Sequence, residues 1–138
     1  MSLRLAEILV VDDEEGIRTL LKAALGVRGL QVTTAGGGKE ALLALCRQYA
    51  EGRQFDAVVV DLLMPEIDGW QVLKAMQFNP LWVGIPVLVI SGYTEGSRDY
   101  ARVTKYNGVL IEKGEDFVDV VGEVLQRVMA AEAAGPPN

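Results

Sequence analysis

Short apolar runs and amphipathic stretches alternate along this chain, and that alternation restricts its fold more than any other feature. Ile8-Leu9-Val10-Val11, Ala57-Val58-Val59-Val60 and Val87-Leu88-Val89-Ile90 are apolar at every position, as central parallel strands covered on both faces must be. The mixed runs Gln31 to Ala35 and Val109 to Glu112 suit sheet edges. Helical period fills the gaps. Ile17, Leu20, Leu21, Ala24 and Leu25 recur on one face, and Gly29 follows as a stop. Gly36-Gly37-Gly38 opens a second helix over Lys39 to Tyr49. Trp70, Leu73 and Met76 mark a third, which must end before Asn79-Pro80. A weaker fourth helix, Glu95 to Tyr106, carries Tyr100 and Val103. The last, Glu115 to Ala131, carries Phe117, Val121, Val124, Leu125 and Val128. Five strands alternating with five helices predict an α/β domain of (βα)5 type around a parallel sheet.

The chain has 138 residues, which fits one domain able to bury about two-thirds of its unfolded surface. Its net charge of -6 argues against sequence-independent binding to nucleic acid. It contains no histidine, which removes histidine bases, ligands and relays from consideration. The single Cys46 permits no internal disulfide, and with no signal peptide to be read it is expected of a cytoplasmic protein. Leu42, Leu45, Cys46 and Tyr49 share one helical stripe, so Cys46 is expected in the core. No apolar stretch approaches the roughly 20 residues that span a bilayer.

Four polar features fall where strands end: Asp12-Asp13, Asp61, Ser91 and Lys113. In an open parallel sheet ligands bind at the carboxyl ends of the strands. Each feature has a plain structural alternative. Asp12 with Glu15 suits a capping pair, Asp61 and Ser91 suit turns, and Lys113 suits a guard on an edge strand. Taken together these need four coincidences at one crevice. Clustered carboxylates repel unless a proton or cation joins them, and Mg2+ is the natural partner of such oxygens. Metal-assisted phosphoryl transfer to an aspartate uses all four features. By contrast, Gly36-Gly37-Gly38-Lys39 lacks the spacing and hydroxyl residue of a phosphate-binding loop and reads as a helix entry.

The strings Ile8-Leu9-Val10-Val11-Asp12-Asp13-Glu14, Asp61-Leu62-Leu63-Met64-Pro65-Glu66-Ile67-Asp68-Gly69, Ser91-Gly92-Tyr93 and Ile111-Glu112-Lys113 resemble the receiver domain of bacterial two-component response regulators. The resemblance covers about residues 6 to 130. It implies a doubly wound, flavodoxin-like sheet of strand order 2-1-3-4-5. It further implies Asp61 as phosphoacceptor and Mg2+ held by Asp13 directly, by Asp12 mostly through water, by Asp61, and by the backbone carbonyl of Leu63. Ser91 would follow the phosphoryl group and Lys113 would pair with it. Met64-Pro65 and Asp68-Gly69 would shape the loop, Gly69 as a turn. The implied partners are a sensor histidine kinase or phosphotransfer protein and an unidentified downstream protein, with no nucleic acid or membrane contacted by this domain.

Two positions depart from that family. Its lysine is usually followed by proline through a cis bond, but Gly114 stands here; cis before glycine costs about 3 kcal/mol, against under about 1 before proline. A trans bond and a looser loop are expected. Three residues before the lysine the family carries a rotating aromatic, and here Leu110 has no ring to swing. Tyr93 and Tyr106 are the available substitutes. Leu63 and Tyr93, which flank the implied phosphoryl position, are bulky and carry no group to orient a water, so slow self-dephosphorylation is expected.

The leading expectation is a phosphorylation-switched receiver that catalyses only its own phosphoryl uptake and loss, spanning residues 1–131 with a flexible tail or linker start at 132–138. A degenerate receiver acting as a constitutive interaction module is the alternative. A Mg2+-dependent phosphatase would need a substrate pocket and usually a cap domain, and 138 residues leave no room for such a domain.

Overall fold

The computed structural model describes the backbone of residues 5–92 and 97–134. It contains β1 (Glu7–Val11), α1 (Glu15–Val27), β2 (Gln31–Ala35), α2 (Gly38–Ala50), β3 (Ala57–Asp61), α3 (Gly69–Gln77), β4 (Val87–Ser91), α4 (Ser97–Lys105), β5 (Gly108–Glu112) and α5 (Phe117–Ala134). The five strands form one parallel sheet in the order β2-β1-β3-β4-β5. The flavodoxin-like (βα)5 architecture is therefore present, with its topological switch between β1 and β3.

Successive side chains of a strand point to opposite faces, and the buried strands feed two cores. Leu9, Val11, Val58, Val60 and Val89 pack with Leu45 of α2, Leu73 and Met76 of α3 and Val103 of α4. Ile8, Val10, Val59, Leu88 and Ile90 pack with Leu21 and Leu25 of α1 and Phe117, Val121 and Leu125 of α5. Because β1, β3 and β4 carry apolar residues toward both layers, every residue of β1 and β4 is buried. The α1 stop is a Schellman turn. Gly29 has φ +81° and donates to Gly26 O, while Leu30 N–H reaches Leu25 O at 3.1 Å.

Helix rotation differs from the expectation in three places. Cys46 is exposed, not buried, because α2 turns Gly38, Ala41, Leu45 and Gln48 inward instead. Gly38 faces Ile67 of the β3–α3 loop so closely that a Cβ there would collide with it. Leu20 and Tyr100 also face solvent, at 49% and 63% exposure. The start expected for the fourth helix, at Glu95, lies outside the described residues, as do Tyr93 and the tail positions 135–138. Among the described residues no helix is long and apolar enough to cross a membrane.

Candidate functional site

Register brings the acids together. Val11 pairs with Val60, so one step further along the two strands Asp12 comes level with Asp61. Asp61 in turn pairs with Ile90, and Ser91 with Glu112, which puts Ser91 and Lys113 on the same rim. Asp12 is fully buried, Asp61 is 4% exposed and Ser91 1%. Asp13 is exposed beside them. Asp12, Asp13 and Asp61 each present a carboxylate oxygen within 4.8 Å of the other two.

Asp12 is held from three sides. Its N–H donates to Ala35 O at 3.1 Å, its Oδ1 accepts from Glu14 N–H at 2.9 Å, and its carbonyl accepts from Arg18 Nη1 at 2.7 Å. It is not a cap of α1. That helix starts with Glu14 at the cap position, without a side-chain cap bond, and the Asp12 carboxylate closes a tight turn instead. Arg18 has no motif to announce it. An arginine on the flank of an amphipathic helix reads as solvated, and only its reach to the Asp12 carbonyl reveals it.

Asp61 Oδ1 accepts from the Leu63 N–H at 3.2 Å, while the Leu63 side chain is 62% exposed. Lys113 does not guard an edge. Its Nζ lies 3.0 Å from Asp12 Oδ2 and 3.2 Å from Asp61 Oδ2, and its backbone N–H donates to Ser91 O at 2.8 Å. The Lys113–Gly114 peptide is trans, as expected; the described residues contain no cis bond. Burial, and then the charge of Asp12, push the Asp61 pKa up, against the opposing pull of Lys113 and the Leu63 N–H. Burial disfavours the Lys113 ammonium, but its bond to Asp12 and the charges of Asp61 and Asp12 outweigh that and hold its pKa above the ordinary value.

The loop after Asp61 is built to stay close. Gly69 does not supply a left-handed turn; its backbone packs against Asp61 and Leu62 so tightly that a Cβ would overlap the Asp61 carbonyl. Its N–H donates to Leu62 O at 3.0 Å. Asp68 caps α3 in a reciprocal box with Gln71, at 3.0 and 2.9 Å. Met64 is buried in the core, and Glu66 takes φ +62°. Next to Gly69, Trp70 receives the Arg102 guanidinium of α4 at 4.0 Å from its ring centroid. Leu110 is half-buried beside Tyr106 in the same core layer.

The donor set fits a hard divalent cation. Asp12, Asp13 and Asp61 converge on one another, while the single Lys113 ammonium pairs with Asp12 and Asp61 and lies 4.0 Å from Glu14, so negative charge is in excess. At 4.8 Å and an effective dielectric of about 20, two like charges repel by about 3.5 kcal/mol. Among the described residues, the buried Asp12 Oδ2 is met only by the Lys113 ammonium, at 3.0 Å. Oxygen ligands of this kind suit Mg2+.

A family model of the response regulator receiver domain matches residues 8–120. The chain belongs to this family. The receiver is 38% identical over 109 residues to the probable transcriptional regulatory protein TcrX of Mycobacterium tuberculosis, covering 71% of this chain and 42% of that protein. It is 39% identical over 89 residues to the alkaline phosphatase synthesis transcriptional regulatory protein PhoP of Bacillus subtilis, covering 64% of this chain and 34% of the relative. The chain thus spans less than half the length of these curated relatives. Among solved structures, the chemotaxis protein CheY4 of Vibrio cholerae superposes with a TM-score of 0.76 at 26% identity, over 91% of this chain and 99% of the other. A protein of Chloroflexus aurantiacus shares the fold at 22% identity, with a TM-score of 0.80 over 93% of this chain and 100% of the other. Receiver domains act in two-component systems with histidine kinases or phosphotransfer proteins.

Proposed function

We propose that this receiver accepts a phosphoryl group on Asp61 from a phosphohistidine of a sensor kinase or phosphotransfer protein, and that the charge so acquired switches its contacts with a downstream protein. The observation that carries this reading is the Lys113 ammonium lying within 3.2 Å of both Asp12 Oδ2 and Asp61 Oδ2. One cation already bridges the proposed nucleophile and the proposed metal-binding acid, ready to neutralise a phosphoryl oxygen.

An Asp61 carboxylate oxygen attacks phosphorus in line with the departing histidine nitrogen; the O–P bond forms as the N–P bond breaks, and the imidazole takes the electron pair. Its other oxygen stays bonded to the Leu63 N–H, which fixes the attacking rotamer. Ser91, buried on the neighbouring strand end, supplies a hydroxyl for one phosphoryl oxygen, and Lys113 supplies charge to another. Asp12, Asp13, Asp61 and the Leu63 carbonyl would hold Mg2+, which neutralises charge on the transferring group when bound. Arg18 keeps the Asp12–Asp13 turn in place. The chain turns over no separate substrate; it is a switch acting in the cytoplasm, with residues 1–131 as the switching domain.

Acetyl phosphate with Mg2+ tests the reading. Intact-mass measurement should show one added phosphoryl group on the wild type and none on Asp61→Asn. Absence of modification with acetyl phosphate and with beryllofluoride would leave a constitutive interaction module, the role suggested by Leu110 and Gly114.

A further inference from the structure

Among the described residues, the outer side of the sheet edge beyond β1 is bare. β2 is an edge strand. Gln31 N–H donates to Ala6 O at 2.8 Å, and Ala35 O accepts from Asp12 N–H at 3.1 Å. Backbone groups alternate sides along a strand, so Gln31, Thr33 and Ala35 face β1, while the N–H and C=O of Val32 and Thr34 point outward. Edge strands are normally blunted by charge, proline or a bulge. Gln31–Ala35 carries no charged residue and no proline, and it pairs with β1 in unbroken register.

Beside this edge, between β2 and α2, lies a pocket of about 440 Å3 with Thr33, Leu43, Ala44 and Phe55 in its walls. Its charged groups are matched except one. Glu51 binds Arg53 at 2.6 Å, Arg53 also approaches Glu7 at 3.4 Å, and Glu40 accepts the Gly36 N–H at 2.7 Å. Among the described residues, no hydrogen bond or ion pair engages the Arg47 guanidinium. Gln48 lines the same pocket, is 8% exposed, and its buried Nε2 has no hydrogen-bond partner, a rare condition for a buried amide. The accessible unmatched group of the pocket is thus the Arg47 guanidinium, set beside the buried Gln48 amide.

We propose that this edge docks an extended, acidic peptide segment of a protein partner, added as a further strand against Val32 and Thr34. The peptide sets one bulky apolar side chain over Leu43, Ala44 and Phe55, and two residues along, on the same face, an acidic side chain against Arg47. Backbone pairing supplies affinity in this mode, and the alternate side-chain pockets supply specificity.

The probe is a dye-labelled Thr-Ile-Thr-Phe-Thr-Asp hexapeptide titrated against the whole chain, read by fluorescence anisotropy and by backbone amide shifts. Saturable binding is expected, with the largest shifts at the Val32 and Thr34 amides. Replacing the peptide's Asp by Asn, or Arg47→Glu in the protein, should weaken binding about tenfold, as loss of a charge-assisted hydrogen bond does. Val32→Pro deletes an outward N–H and no bond to β1, so binding should fall by more than the loss of Val32 packing lowers the urea midpoint; Arg47→Gln, on an exposed helix face, is the second arm and should weaken binding with the midpoint unchanged. No saturation at millimolar peptide, or affinity indifferent to both the peptide acid and Arg47, overturns the proposal. A concentration-dependent dimer abolished by Val32→Pro would assign the edge to a second copy and overturn it as well.

Discussion

Burial and the neighbouring Asp12 charge together disfavour the Asp61 anion, and Lys113 and the Leu63 N–H only partly offset them. A carboxyl with a folded pKa above its unfolded value binds its proton more tightly when folded. Stability therefore rises as pH falls through the folded pKa, and the anion is a burden at neutral pH. Asp61→Asn should raise the thermal midpoint at pH 7 in metal-free buffer, with the gain shrinking toward the unfolded carboxylate value of 3.8. An unchanged or lowered midpoint at pH 7 would contradict this. Lys113 behaves oppositely: its raised pKa contributes stability that is fully present below 10.5 and lost as pH climbs through the higher folded value. Once Asp61 carries the proposed phosphoryl group, the exposed Leu63 side chain would offer no group to orient water. Leu63→Asn should shorten the phosphoryl lifetime about tenfold or more, since a positioned polar group contributes at least that in hydrolysis; an unchanged lifetime by intact mass would sink the idea. Asp12, Asp61, Ser91 and Lys113 were legible because each closes a strand, where the sheet itself supplies their position. Arg18 was not, because what it does depends on the reach of one long side chain.

Strands were more legible than helix faces. Continuous apolar runs have one reading, but on α2 the more apolar stripe, Leu42-Leu45-Cys46-Tyr49, is not the one turned inward, which is Ala41-Leu45-Gln48. Gly38 belongs to that inward face because any side chain there would collide with Ile67, and hydropathy does not record close backbone approach. Gly69 has the same character, welding the start of α3 to the Asp61 carbonyl. The neighbouring Trp70 then meets Arg102 across the α3–α4 gap. This is a contact from the Asp61 loop to α4 that does not pass through Leu110. A double-mutant cycle of Trp70→Leu and Arg102→Ala, followed by urea unfolding, should give a favourable coupling of about 0.5–1 kcal/mol, the range of partly exposed cation–π pairs. Additive effects would show that the stack holds nothing.

For the whole molecule, alternation alone shows that a parallel sheet exists but does not order its strands. The order β2-β1-β3-β4-β5 was legible only through the family resemblance, since no periodicity says which apolar run neighbours which. That order makes β1 and β3 adjacent and so creates the acidic cluster. A cation that binds only when those strands are assembled must stabilise the entire fold. The linkage is RT ln(1 + [L]/Kd), about 2.7 kcal/mol at a hundredfold excess over Kd. Mg2+ should therefore raise the midpoint of global unfolding in a saturable way. Asp12→Asn and Asp13→Asn should weaken the effect by removing a ligand charge, while Ca2+, which tolerates larger and less regular coordination, should stabilise less. Sodium chloride at matched ionic strength separates screening from binding. If it reproduces the Mg2+ shift, or if Asp13→Asn responds to Mg2+ as the wild type does, the three carboxylates relieve their repulsion without a bound ion.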